Sequence, residues 1–127
     1  MQLSQKELTV ILKTALNAFR EEIGEDVTAT RILTLLAVVD EPGIQQVDLE
    51  RALGGLAPSS VSRNIGDLSS LKRNREPGPA FLEQRPDPAY RRRNLVFPTA
   101  KALHWLASLT ERVNRKVSAA RAAEHSD

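Results

Sequence analysis

Apolar residues recur along this 127-residue chain in a rhythm that is helical for most of its length. Leu8, Leu12, Ala15, Phe19 and Ile23 follow one another at steps of three or four and draw one stripe down a helix predicted over residues 4–23. Ser4 and Glu7 have the spacing of a capping box, and Gly24 is a stop. A second helix is expected to start at Thr28 or Thr30. Its run of Ile32, Leu33, Leu35, Leu36, Val38 and Val39 is apolar on most sides, which predicts burial in the domain centre. Pro42 in "DEPG", 40–43, ends it, because proline cannot continue the hydrogen-bond ladder.

A short third helix fits residues 45–53, with Val47, Leu49, Ala52 and Leu53 partly inward, and Gly54-Gly55 break it. A fourth follows over about 58–73, in which Val61, Ile65 and Leu68 keep helical spacing. "NREPGPA", 74–80, reads as a loop on its Pro and Gly content. "FLEQR", 81–85, and "RNLVF", 93–97, are strand candidates joined through "PDPAYRR", 86–92, so they form a hairpin with a basic tip. After Pro98-Thr99 a long last helix runs to about residue 123, with Leu103, Leu106, Val113, Val117 and Ala120 as its apolar positions. Short helix, tight turn, second helix and hairpin in this order make a winged helix-turn-helix. The expected fold is therefore mainly α with a small β-hairpin wing (α+β). It forms a single domain, 1–127, with a core over 28–98 between terminal helices at 4–23 and 99–123.

Composition narrows the chemistry. Hydrophobic residues are 41% and charged residues 27%, ordinary for one globular domain. Cysteine is absent, which excludes a disulfide framework and any thiolate nucleophile or ligand. With His104 and His125 the only histidines, no metal site is expected. Ser59, Ser60 and Ser62 have no neighbouring histidine, and the acidic run Glu21, Glu22, Glu25 and Asp26 reads as a solvated helix end, so neither an enzyme nor a cofactor is expected. No apolar stretch approaches the ~20 residues of a membrane span, and no secretory signal opens the chain, so a cytoplasmic location is expected.

The net charge of +2 is unevenly spread. Residues 1–56 carry five Lys/Arg against nine Asp/Glu, whereas residues 57–97 carry eight against four. One basic surface beside an acidic one suits a polyanionic partner.

The fourth helix has the surface such a partner needs. On a helical wheel, Val61, Ile65 and Leu68 share one narrow arc, while Ser59, Arg63, Gly66 and Ser70 fall opposite. Small hydroxyls let a helix sit deep in the major groove, and arginine can bond both O6 and N7 of guanine. Pro58 suits the first helical position with Ala57 as cap, and Ser59 as cap is equally compatible with the sequence. The expected double-stranded DNA contacts are Ser59, Ser60, Ser62, Arg63 and Asn64 on this helix. Arg91, Arg92 and Arg93 are expected to contact DNA from the hairpin tip, with at least one of the three paired to Asp87.

"LAPSSVSRNIGDL" followed by "FLEQRPDPAYRRRNLVFPTAKA" resembles the MarR type of winged helix-turn-helix transcription regulator. Ser60, Val61, Ser62 and Arg63 match its recognition-helix pattern. Leu82, Glu83 and Arg85 match its first wing strand, Asp87, Pro88, Arg91 and Arg92 its wing tip, and Thr99 its approach to the last helix. The sequence departs from that pattern at Pro98 and Ala102, at Tyr90 where an acidic residue is common, and in the longer link "KRNREPGPA". The resemblance implies a transcription regulator, a repressor, working as a homodimer joined through its terminal helices, with wing arginines in flanking minor grooves. It also implies a cleft for a small-molecule effector, although a chain this short leaves less protein to form one. Two other readings of the residues stand beside it, a winged-helix protein-interaction module and a plasmid or phage replication or partition accessory protein. The basic tip separates DNA binders from the interaction module.

Overall fold

The computed structural model describes residues 2–72, 74–90 and 92–124. Among them are five helices and one antiparallel sheet: α1 (Gln5–Glu22), α2 (Ala29–Asp40), β1 (Ile44–Gln45), α3 (Gln46–Ala52), α4 (Pro58–Leu68), β2 (Leu82–Pro86), β3 (Asn94–Pro98) and α5 (Ala100–Glu124). The mainly α fold with a β wing is as expected. The sheet has a third strand that the sequence pattern did not reveal, in the order β1-β3-β2. β1 is only two residues long, with Ile44 opposite Val96 and Gln45 opposite Leu95.

Side-chain caps explain where the first two helices begin. Ser4 Oγ accepts from the Glu7 amide at the start of α1, and Thr28 Oγ1 accepts from the Arg31 amide at the start of α2. The Glu7 carboxylate does not complete the expected capping box; it takes a 3.1 Å hydrogen bond and ion pair from Arg121 on α5. This bond, more than any other influence, holds the Glu7 carboxyl below its ordinary value. A carboxylate depressed in the folded chain stabilises it above the unfolded pKa, and that contribution is lost as pH falls through the folded one. Glu7→Gln is therefore expected to lower the thermal midpoint at neutral pH, with the gap to the wild type closing as the pH drops below ~4. A pH-independent gap in melting curves would contradict this.

The core joins every element. Leu35 and Val38 of α2, Leu49 of α3, Val61, Ile65 and Leu68 of α4, and Phe81, Leu82 and Val96 of the hairpin are all buried. Leu33 and Leu36, expected inside, lie at the surface, because α2 packs one face on α4 and β3 and leaves the other open. The terminal helices meet each other within one chain. Phe19 and Ala18 of α1 and Leu109, Val117 and Ala120 of α5 are buried, and Trp105 stacks between Phe19 and Phe81 at centroid distances of 5.0 and 5.3 Å.

α4 stops at Leu68, about five residues before its expected end. The chain turns back immediately: Phe81 N donates to Leu68 O, Gly78 N to Ser70 O, and Leu71 bridges to Pro77. Glycine is required at 78, since a Cβ there would stand 2.1 Å from the Ser69 carbonyl oxygen. The long link thus folds on itself as a compact loop instead of extending the helix. No helix among the described residues is long and apolar enough to cross a membrane.

Candidate nucleic-acid interface

α3, the turn and α4 form the helix-turn-helix, and its geometry depends on the turn. Gly54 and Gly55 both have positive φ, 75° and 81°, where a side chain would be strained. Gln46 ties the two helices directly, its side-chain amide donating to Pro58 O at 3.2 Å. Pro58 occupies the first turn of α4, and Ala57 caps it without a side-chain bond, so none of the serines serves as cap.

Seating Val61, Ile65 and Leu68 in the core turns the opposite face outward. Ser59, Ser62 and Arg63 are exposed and Ser60 is half-buried. Their side chains make no hydrogen bond or ion pair among the described residues. Of the outward face expected from the sequence, Ser59 and Arg63 are exposed on α4, Gly66 is half-buried, and Ser70 lies beyond the end of the helix. Asn64 does not belong to that face. It is 4% exposed, its Oδ1 accepts from Arg31 Nε at 3.3 Å and its Nδ2 donates to Thr34 Oγ1 at 3.2 Å. Buried and held between two residues of α2, this side chain does not present its remaining amide hydrogen at the outward face.

The hairpin carries the second part of the surface. β2 and β3 pair from Leu82–Pro98 to Pro86–Asn94, one residue later than the predicted strands. The tip is a knot of local bonds: Asp87 N donates to Arg93 O, Arg93 N to Tyr90 O, and Asp87 Oδ1 accepts from Ala89 N at 2.9 Å. The Asp87 carboxylate therefore shapes the turn, and neither Arg92 nor Arg93 pairs with it. Arg91 lies outside the described residues. Arg92 and Arg93 are exposed, and the Arg93 guanidinium stacks over Tyr90 at 4.9 Å and reaches Gln45 Oε1 at 3.5 Å. Tyr90, at the position where the MarR-type pattern commonly has an acidic residue, thus orients an arginine by its ring face.

Between the hairpin and α3 lies a groove of about 690 Å³ lined by Gln45, Gln46, Arg51, Gln84, Arg92 and Asn94. The sequence reading missed these amides. β1 brings Gln45 beside the hairpin, and no local pattern announces a two-residue strand. The candidate interface thus has three parts: a helix face of hydroxyls and one arginine, a basic tip, and an amide-lined groove beside that tip.

No family model matches the sequence, and no curated protein matches it. Among solved structures the chain is similar to MarR, at 22% identity over 93% of this chain and 80% of that one, with a TM-score of 0.58. It is similar to the transcriptional regulator Tm0710 from Thermotoga maritima, at 20% identity over 91% and 72%, TM-score 0.72. A third likeness is to the PcaV transcriptional regulator from Streptomyces coelicolor, solved with its natural ligand, at 23% identity over 98% and 85%, TM-score 0.55. What the chain shares with these proteins at such identities is its architecture: it has the winged-helix fold of MarR-type transcription regulators.

Proposed function

We propose that this chain is a sequence-specific, double-stranded DNA-binding transcription regulator that acts as a repressor. α4 reads the major groove, the hairpin tip over 86–93 lies at the minor groove, and the terminal helices join two copies. The observation that carries this reading is the outward face of α4. Ser59, Ser62 and Arg63 are exposed, unused in capping and unpaired among the described residues, on a helix held firmly from behind. Occupying a promoter is enough to exclude other proteins from it, and repression is the simplest result. PcaV was solved with its natural ligand. In this chain the cleft lined by Ala15, Phe19, Leu36, Leu106 and Val113 is about 270 Å³, whereas the groove between α1 and α5 lined by Lys13, Asn17 and Arg112 is about 590 Å³, within the ~300–1,000 Å³ of most small-molecule sites.

The test is selection of a preferred duplex from a random pool, followed by gel shifts on selected and random DNA across a salt series. Arg63→Ala is expected to cost ~1–3 kcal/mol on the selected duplex and to relax preference at one base position. Equal weakening on both DNAs would place Arg63 on phosphate instead. Replacing Arg92 and Arg93 by alanine is expected to weaken binding to every sequence and to reduce the slope of log affinity against log salt by up to ~2. An unchanged slope would remove the wing from the interface. Absence of any duplex binding, with retention of a protein partner on the same face, would favour the interaction-module reading.

A further inference from the structure

We infer that Arg31, Thr34, Asn64 and Asp67 form a positioning device that sets the rotation of α4 about its own axis, and with it the sequence the helix selects. The inference rests on the DNA-binding reading above. Arg31 and Thr34 stand one turn apart on α2, and Asn64 and Asp67 one turn apart on α4. They interlock. Arg31 Nη2 pairs with Asp67 Oδ2 at 2.9 Å, and Arg31 Nε donates to Asn64 Oδ1 at 3.3 Å. Asn64 Nδ2 donates to Thr34 Oγ1 at 3.2 Å, and that hydroxyl donates to Thr30 O at 2.7 Å. Thr34 is fully buried and Asn64 nearly so, while the Arg31 and Asp67 side chains are 21% and 18% exposed. No buried side-chain polar atom among the described residues lacks a partner.

Apolar burial alone does not fix such a rotation. Val61, Ile65 and Leu68 decide which side of α4 faces inward, but hydrophobic contact is non-directional. Hydrogen bonds weaken steeply as they bend, so three across the two helices, anchored on α2 by a fourth, resist rotation in a way packing does not. An outward tip lies ~5–6 Å from the helix axis, and a turn of ~20° moves it by ~2 Å, most of a hydrogen-bond length. Arg63 is the residue beside Asn64 and would move with it. A base contact is lost at that displacement, whereas an attraction to phosphate survives.

The experiment measures the ratio of random to selected duplex affinity, together with the salt slope, for the full chain and two separate variants, Asn64→Leu and Asp67→Asn. Asp67→Asn is near in volume to the native residue and Asn64→Leu keeps its branching while adding bulk, and one remains informative if the other fails to fold. The expected result is a ratio reduced about tenfold, the scale of one base contact, with a cooperative unfolding transition retained in both and with random-duplex affinity and salt slope unchanged in Asn64→Leu, which keeps the net charge. A folded variant with an unchanged ratio would overturn the inference. So would equal loss on both duplexes, which is the behaviour of a merely structural or phosphate-facing group. If the wild type enriches no duplex, the DNA-binding reading itself fails, and this inference falls with it.

Discussion

Replacing Leu12 and Leu16 with aspartate is expected to convert a dimer into a folded monomer and to lower affinity for a palindromic site by about a hundredfold or more. In the single chain Leu8, Leu12 and Leu16 are 47%, 50% and 47% exposed. They follow at steps of four along α1 and form one uncovered apolar ridge beside the contact with α5. Covering a leucine is worth ~1.5–3 kcal/mol, and a two-fold interface counts each substitution twice. Each 1.4 kcal/mol is a factor of about ten in affinity, so losing the second half-site follows. The choice of residues matters. Phe19 and Val117, which belong to the apolar patterns of the two terminal helices, are buried within one chain, and charging Val117 would break that packing first. Light scattering, with circular dichroism to show retained helix, makes the measurement. A wild type that is monomeric at micromolar concentration while binding its site fully would end the dimer proposal, as would a double variant that stays dimeric.

Phe81→Ala is expected to destabilise the chain by ~3–5 kcal/mol, a large part of the ~5–15 kcal/mol that holds a domain together. Phe81 is fully buried. Its amide fastens to the end of α4 through Leu68 O, and its carbonyl accepts from Thr99 N just before α5. Its ring lies on Trp105, which lies on Phe19. One side chain thus touches the joint between the helix-turn-helix half and the terminal helices. Phe81→Leu, which keeps most of the volume, should recover the larger share. Urea unfolding of the two variants would settle the size, and a loss under ~1 kcal/mol for alanine would mean that the joint relaxes around the hole.

Local chemistry made much of this molecule legible. Ser4 and Thr28 announced their helices because a cap is a contact between residues three apart. The arc of Val61, Ile65 and Leu68 announced the inward face of α4 for the same reason. The failures are all non-local. β1 exists only because Ile44 and Gln45 meet Val96 and Leu95 some fifty residues away. The end of α4 is set by Phe81 and by the closeness of Gly78 to Ser69. Asn64 sits on the flank of the apolar arc, and its polarity alone put it among the DNA contacts. What decides otherwise is Arg31 and Thr34, about thirty residues earlier, which no pattern within α4 contains. Leu33 and Leu36 were misplaced because an all-apolar run says nothing about how many sides of it will be covered.

The position of Trp105 has a practical corollary. It is the chain's single tryptophan, wedged between a ring on α1 and a ring at the foot of the hairpin. Indole emission will therefore act as a built-in gauge of the seam between the two halves. Tilting the terminal helices against the reading head will change its colour and yield without any added label, while docking of a rigid head onto a duplex will leave it dark to the event.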